Sequence, residues 1–327
     1  MDANKFIIKA GRRVYSKLYP GTRNNTVKEN YFGSPILLPE NGNHLIAQKL
    51  NTGDPLMVCR LGSTELSCLV NYIEKSELAE LDYFRQMLRQ IKGESLVWSD
   101  AVRENMHKCS GFFPATDENL EKFARLYLDL IPQVDILGVW YNYFEDIIVH
   151  RFCPDAALIP LKSIEPYYFE SPWSRMLKGK KVLVIHPFDT SIKRQYAIRE
   201  KLFENKEILP PFELTTIKAV QTVAYNNTEF KNWFEALDSM IEKINKTDFD
   251  VALIGAGAYG LPLAAHAKGM GKQAIHFGGS LQVLFGIKGQ RWDNMPNVNR
   301  LYNEHWIRPL QEETPDGFKS VENGCYW

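Results

Sequence analysis

A glycine-rich turn in the last third of the chain is the segment whose residue types are best suited to chemistry. The sequence Gly255-Ala-Gly257-Ala-Tyr-Gly260 is a complete G-x-G-x-x-G pattern between an apolar run, residues 250–254, and a helical segment that ends near residue 268. Glycines let the backbone turn sharply and approach a ligand, and free N–H groups at a helix start favour an anion. The pattern predicts a phosphate-binding turn, with a tight turn that binds nothing as the alternative.

The strand predicted after this turn, residues 273–279, limits the kind of ligand. It ends with His276 and the glycines Gly278 and Gly279. An NAD-binding fold would place an acidic residue here to hold the ribose. An imidazole and exposed backbone favour a nucleoside diphosphate instead, and leave an NAD-dependent oxidoreductase as the alternative.

A second group of candidate residues, Arg60-Leu-Gly62-Ser-Thr-Glu65, follows the first apolar run, residues 55–61. Arg60 could hold a diphosphate or carboxylate through two hydrogen bonds, and Gly62 allows the backbone to come close. Glu65 could bind a divalent metal ion that bridges two phosphates. In the alternative interpretation, Glu65 only stabilises the first turn of a helix through the helix dipole.

Three further residues are candidates for a general base or a metal ligand. Asp100, His186 and Asp189 each follow a predicted strand. In open α/β sheets, ligands bind beyond the carboxyl ends of the strands, so these side chains would project into the cleft. Each also suits an ordinary loop or helix cap.

Aromatic residues form a weaker set of candidates, because they could stack on a base or a sugar or simply pack in the core. Trp140, Tyr326 and Trp327 belong to this set, and residues 302–306 form a secondary candidate in which Glu304 and His305 are close together.

The elements that must position these residues alternate along the chain, with short apolar runs followed by segments of helical period. This alternation is typical of a Rossmann-like α/β fold, a doubly wound and mostly parallel sheet with helices on both faces. We expect an N-terminal amphipathic helix and extended arm (residues 1–43), the α/β domain (residues 44–292) and a C-terminal tail packed on it (residues 293–327). The predicted strands are residues 55–61, 95–98, 135–140, 181–185, 213–217, 250–254 and 273–279, and the clearest helix is residues 228–246.

Composition and charge limit the classes of binding partner and the cellular compartment that we expect for this chain. Lys+Arg and Asp+Glu both count 39, so no basic excess points to nucleic acid. The five cysteines form no C-x-x-C pair, which favours a reducing compartment, and no apolar run reaches the roughly 20 residues of a membrane span. We expect a cytoplasmic protein. Residues 5–18 form a basic amphipathic pattern that either docks on the protein or lies on the inner face of a membrane.

Taken together, the two glycine-bearing segments resemble bacterial glycosyltransferases of the GT-D fold. The matching text is Arg60-Leu-Gly62-Ser-Thr-Glu65, the turn Gly255 to Gly260, and the strand that ends at Gly279. The resemblance implies transfer of a sugar from a nucleotide-diphosphate donor to a carbohydrate acceptor in surface glycan assembly.

The resemblance also implies an acidic D-x-E motif that binds Mn²⁺ or Mg²⁺. The corresponding text here is Ser63-Thr-Glu65, so Glu65 matches and Ser63 replaces the aspartate. The implied metal site therefore has one negative charge fewer, or it takes a ligand from another part of the chain. Asp100 and Asp189 are the candidates for that replacement ligand. A protein that binds nucleotides without catalysis, in an assembly role, is the remaining alternative.

Overall fold

The structure is a computed structural model that describes residues 30–31, 34–79, 98–142 and 144–327. The predicted helix at residues 5–18 lies outside the described residues, as does most of the predicted strand at residues 95–98. Within these ranges, no helix is long and apolar enough to cross a membrane.

A parallel seven-stranded sheet forms the centre of the molecule, which confirms the predicted Rossmann-like α/β fold. Its strand order is β5-β4-β3-β9-β8-β6-β7, and every neighbouring pair is parallel. A short antiparallel pair, β1 (Asn30–Tyr31) with β2 (Ser34–Pro35), precedes it. The strands of the sheet are β3 (Leu56–Cys59), β4 (Ile136–Val139), β5 (Ala157–Pro160), β6 (Lys181–His186), β7 (Glu213–Lys218), β8 (Val251–Ile254) and β9 (Gln273–His276).

Helices connect these strands. The longer ones are α1 (Pro39–Thr52), α2 (Ser63–Ala79), α3 (Asp100–Lys108), α4 (Asp117–Leu130), α5 (Glu145–Phe152), α6 (Asp189–Ala197), α7 (Trp233–Asn245) and α8 (Gly260–Gly269). Short helical turns follow β9 and continue into the C-terminal tail: Leu281–Leu284, Gln290–Asp293 and Pro296–Asn299.

Strands buried on both faces explain why the sheet carries helices on both sides. In β3, Met57 and Cys59 pack in one core cluster with residues of α2 and α4. The alternating residues Leu56 and Val58 pack in a second cluster with residues of α1. Side chains alternate across a strand, so a run that is apolar at every position needs cover above and below.

The direction of the connections locates a crevice in the sheet. From β6 the chain continues to β7 at one edge, whereas from β8 it continues to β9 in the opposite direction. Neighbouring strands whose connections run in opposite directions leave an opening at their carboxyl ends. His186 ends β6 and Gly255 follows β8, so the glycine turn lies at this opening.

Several boundaries differ from those predicted. The first described helix begins at Pro39, inside the stretch predicted as an extended arm, because proline suits the first helical turn. Its Asn43 is buried and accepts a hydrogen bond from the Trp173 N–H at 2.8 Å. The clearest predicted helix begins later, at Trp233, where the Asn232 side chain caps it. Helix α5 and strand β5 were not predicted.

The C-terminal tail packs across the carboxyl ends of the strands. Glu313 accepts hydrogen bonds from the N–H groups of Thr190 (2.9 Å) and Ser191 (3.0 Å) at the start of α6. The Trp327 indole donates to the Glu313 carbonyl at 3.2 Å. These contacts place the last residues of the chain beside the crevice.

Candidate functional site

Two adjoining cavities lie above the carboxyl ends of the central strands. The first, here called the apolar half, is open to solvent and has Phe188, Val223, Tyr259 and Trp327 among its walls. The second, here called the polar half, is also open to solvent and is lined by Arg60, Glu65, Arg291 and Glu322, among others. Both halves share five residues, Cys109, Ser110, Gly257, Gly279 and Tyr326. A ligand with an aromatic end and a charged end fits such a divided cleft.

Gly255 and Gly260 of the glycine turn are packed so closely that a side chain would not fit, whereas Gly257 is set apart by its positive φ. A Cβ atom on Gly255 would lie 2.6 Å from the His186 ring and 2.8 Å from the Gly278 carbonyl oxygen. Gly257 has φ +52° and lines both halves of the cleft. A Cβ on Gly260 would overlap the His276 ring. Gly260 lines neither half, so its position favours a packing role rather than ligand contact.

Two helix starts face the polar half. Gly62, Ser63 and Thr64 line it at the start of α2, and Gly257 lines it in the helical turn that continues into α8. The first N–H groups of a helix have no partner within the helix and carry partial positive charge. Their convergence on one cavity favours an anion with more than one phosphate.

Arg60 is a cation without an acidic partner among the described residues. Its guanidinium carbon lies 4.4 Å from the centroid of the Trp140 ring, and its Nε is buried without a hydrogen bond. The indole of Trp140 is itself held by a 2.7 Å hydrogen bond to the Leu61 carbonyl. A Cβ on Gly278 would lie 2.6 Å from Arg60 Nη1, so glycine makes room for the arginine.

Glu65 contributes a buried carboxyl group to the same half of the cleft. A Cβ on Gly62 would overlap its carboxylate, so the glycine is required for this position. The other carboxylate lining this half, Glu322, pairs with Arg291. The described residues contain no group of three or more His, Cys, Asp or Glu side chains that could hold a metal ion. The donor set does not fit a resident metal ion.

The two histidines of the cleft are neutral. Burial lowers the pKa of His276 to about 3, with a further contribution from Arg60, and its Nδ1 has no hydrogen bond. Burial also lowers the pKa of His186 to about 3. Its Nδ1 accepts a 3.0 Å hydrogen bond from the Phe188 N–H, which leaves the ring proton on Nε2. His186 is therefore better placed to donate a hydrogen bond than to act as a general base.

Asp100 and Asp189 are not brought to the cleft. Asp100 is fully exposed in the first turn of α3, 3.9 Å from Arg103 Nε. Asp189 begins α6 and forms a 2.9 Å ion pair with Lys193. Neither lines either half of the cleft, so neither replaces the aspartate that is missing at Ser63. Their predicted roles in catalysis or metal binding find no support in these positions.

The chain after residue 290 supplies residues that the sequence motifs did not indicate. Arg291, Glu322 and Tyr326 all line the polar half. Arg291 and Glu322 belong to no recognisable motif, whereas Tyr326 was a candidate only as one of many aromatics. The secondary candidate at residues 302–306 lies elsewhere: Trp306 is buried and donates to the Leu202 carbonyl.

Comparison with known proteins assigns part of this fold. Residues 166–284 match a family model described as a GT-D fold-like domain. The match covers just over a third of the chain and contains strands β6 to β9 with the glycine turn, but not Arg60 or Glu65. No curated protein and no solved structure matches the chain.

Proposed function

We propose that this chain, in which residues 166–284 form a GT-D fold-like domain, is a glycosyltransferase that uses a nucleoside-diphosphate sugar as donor. The acceptor is a hydroxyl group of a glycan or glycoconjugate. The observation that carries the proposal is the unpaired Arg60 guanidinium beside two helix starts and the glycine turn. Arg60 is half-buried, and its buried Nε has no hydrogen-bond partner, which is costly; a bound diphosphate would satisfy it.

The division of the cleft suggests how the donor lies. We assign the nucleoside to the apolar half, where Phe188 and Trp327 offer aromatic surface. The diphosphate then lies next to Gly257 and Gly279, which line both halves of the cleft and can offer backbone N–H groups to it. This places the sugar in the polar half beside Glu65.

The chemical step follows from this arrangement. The bond between sugar C1 and the β-phosphate oxygen breaks, and its electron pair stays on the departing diphosphate. The acceptor oxygen forms the new bond to C1, and its proton passes to the Glu65 carboxylate. Arg60 and the N–H groups at the start of α2 stabilise the negative charge that develops on the leaving group. Because the donor set does not fit a resident metal ion, we route no step through one.

The wider role that we propose is polysaccharide or cell-surface glycan biosynthesis in the cytoplasm. All five cysteines are free thiols, which supports a reducing compartment. The balanced net charge supports a small nucleotide donor rather than a nucleic acid. Contact with the inner face of a membrane through residues 5–18 remains part of the proposal.

Isothermal titration with UDP, GDP, ADP, CDP and dTDP tests the proposal, each with and without Mn²⁺. We expect saturable binding of at least one nucleotide. Absence of binding to every member would refute a nucleotide-sugar enzyme. NADH fluorescence is the parallel control, because a change at micromolar protein would favour an oxidoreductase instead.

A further inference from the structure

The polar half of the cleft contains a second arginine, Arg291, which comes from a different part of the chain than Arg60. Its side chain is 29% exposed, and one nitrogen, Nη2, pairs with Glu322 and contacts the Cys325 sulfur at 3.3 Å. Its Nη1 and Nε form no hydrogen bond within the described residues, and the side chain lines the polar half. An arginine with free donors toward a cavity is suited to bind a phosphate through two hydrogen bonds.

The end of the chain holds this arginine on several sides. The Arg291 N–H donates to the Cys325 carbonyl at 3.0 Å, and the guanidinium lies 4.8 Å from the centroid of the Tyr326 ring. The Tyr326 ring in turn lies against Gly279, where a Cβ would overlap it. The tail therefore ties Arg291 to the loop after β9, which lines the cleft.

The backbone just before this contact adopts an unusual conformation. Glu322, Asn323 and Gly324 have consecutive φ values of +45°, +60° and +79°. This left-handed region is unfavourable for a residue such as Glu322, whereas asparagine and glycine tolerate it better. Backbone hydrogen bonds from the Gly324 N–H to the Val321 carbonyl (2.8 Å) and from the Trp327 N–H to the Gly324 carbonyl (3.0 Å) hold this segment.

We propose that Arg291 is a second binding residue for the donor diphosphate, opposite Arg60, and that Tyr326 is a positioning residue for its guanidinium group. This inference rests on the proposed function, because it assigns the ligand of the same cleft. Two arginines on separate elements would hold the terminal phosphate from both sides. The C-terminal segment is then part of the donor site, although it lies outside the matched GT-D fold-like domain.

Isothermal titration with the five nucleoside diphosphates and their monophosphates tests the proposal. The ratio of the monophosphate Kd to the diphosphate Kd isolates the contribution of the second phosphate. Glu322→Gln is compared with the double variant Arg291→Gln/Glu322→Gln, so that no variant leaves an unpaired carboxylate. We expect this Kd ratio to be at least about tenfold smaller in the double variant than in Glu322→Gln. Exposed Arg194→Gln is the charge control and should keep the wild-type ratio.

Further variants test the positioning role and protect against a folding defect. Tyr326→Phe retains the ring and should keep the ratio, whereas Tyr326→Ala should lower it. Arg291→Lys retains the charge without the planar fork and should give an intermediate ratio. An unchanged ratio in the double variant and in Arg291→Lys would overturn this inference while leaving the proposed function intact. Failure of the wild-type protein to bind any diphosphate would overturn both.

Discussion

The Arg60 guanidinium stacks on the Trp140 indole at 4.4 Å, and no carboxylate in the described part of the chain pairs with it. The indole is fixed by its own hydrogen bond to the Leu61 carbonyl, so the arginine rests on a rigid surface. Cation–π contact offsets only part of the cost of burying the Arg60 Nε without a hydrogen bond. The guanidinium forms no ion pair within the described residues, although its charge acts on the carboxyl group of Glu165, and it is therefore available to an anionic ligand.

Replacement of Arg60 should weaken nucleotide binding. We expect Arg60→Gln to raise the Kd for nucleoside diphosphates by roughly tenfold to a hundredfold, because a charge-assisted hydrogen bond is lost. Arg60→Lys should retain part of the affinity. Calorimetric titration measures both, with Arg194→Gln as the exposed control. Equal affinity in Arg60→Gln and wild type would place the anion elsewhere.

Replacement of Glu65 should separate catalysis from donor binding. Glu65→Gln keeps the size of the side chain and removes the proton acceptor, so turnover should fall by roughly 10² to 10⁴. The Kd for the nucleoside diphosphate should change by only a few fold. Release of nucleoside diphosphate from the donor in the presence of acceptor measures the rate. Wild-type turnover in this variant would exclude Glu65 as the base.

Two glycines of α8 provide a matched stability test. Gly260→Ala places a methyl group on the buried His276 ring, and overpacking of this kind costs roughly 1–3 kcal/mol. Gly269→Ala, at the other end of the helix, meets nothing within 4 Å and should be neutral or slightly stabilising. Urea unfolding of both variants measures the difference. Equal stabilities would mean that His276 does not pack against Gly260.

The two buried histidines predict a pH dependence of stability. The pKa of His276 is about 3 in the folded chain and near 6.5 when unfolded, so the unfolded state binds more protons between these values. Stability contributed by the neutral ring is complete above pH 6.5 and falls as the pH drops toward 3. The same argument holds for His186.

Urea unfolding at pH 6 and pH 5 measures this effect. Each buried imidazole should lower the free energy of unfolding by roughly 1 kcal/mol across that interval. His276→Gln should show a smaller loss than wild type, whereas the exposed His150→Gln should show the same loss. An identical pH dependence in His276→Gln and wild type would show that this ring is protonated in the folded protein.

The elements that the sequence predicted well are those with a strong local pattern. Apolar runs buried on both faces predicted β3, β4, β6, β8 and β9, and the glycine spacing predicted the turn at residues 255–260. Strand β7 was also predicted, although it is only partly buried. Strand β5 and helix α5 are short and follow each other closely, so neither shows a clear period. An aspartate that follows a predicted strand can lie in the cleft or can begin the next helix, and the sequence does not distinguish the two positions. Asp100 and Asp189 both proved to begin helices.

The C-terminal part of the cleft could not be predicted because long-range packing creates it. Arg291 and Tyr326 are 35 positions apart, and both are far in sequence from Arg60, with which they line the same cavity. No local spacing encodes such a contact. Only Gly278 and Gly279 indicated these contacts in the sequence. Gly278 leaves room for the Arg60 side chain, and Gly279 leaves room for the Tyr326 ring.

A crystal structure with a bound nucleoside diphosphate tests the central claim most directly, because it shows the phosphates themselves. We predict phosphate oxygens within hydrogen-bonding distance of the Arg60 guanidinium and of the backbone at Gly257, with the base in the apolar half beside Trp327. Phosphates bound away from both Arg60 and the glycine turn would contradict the proposed donor site.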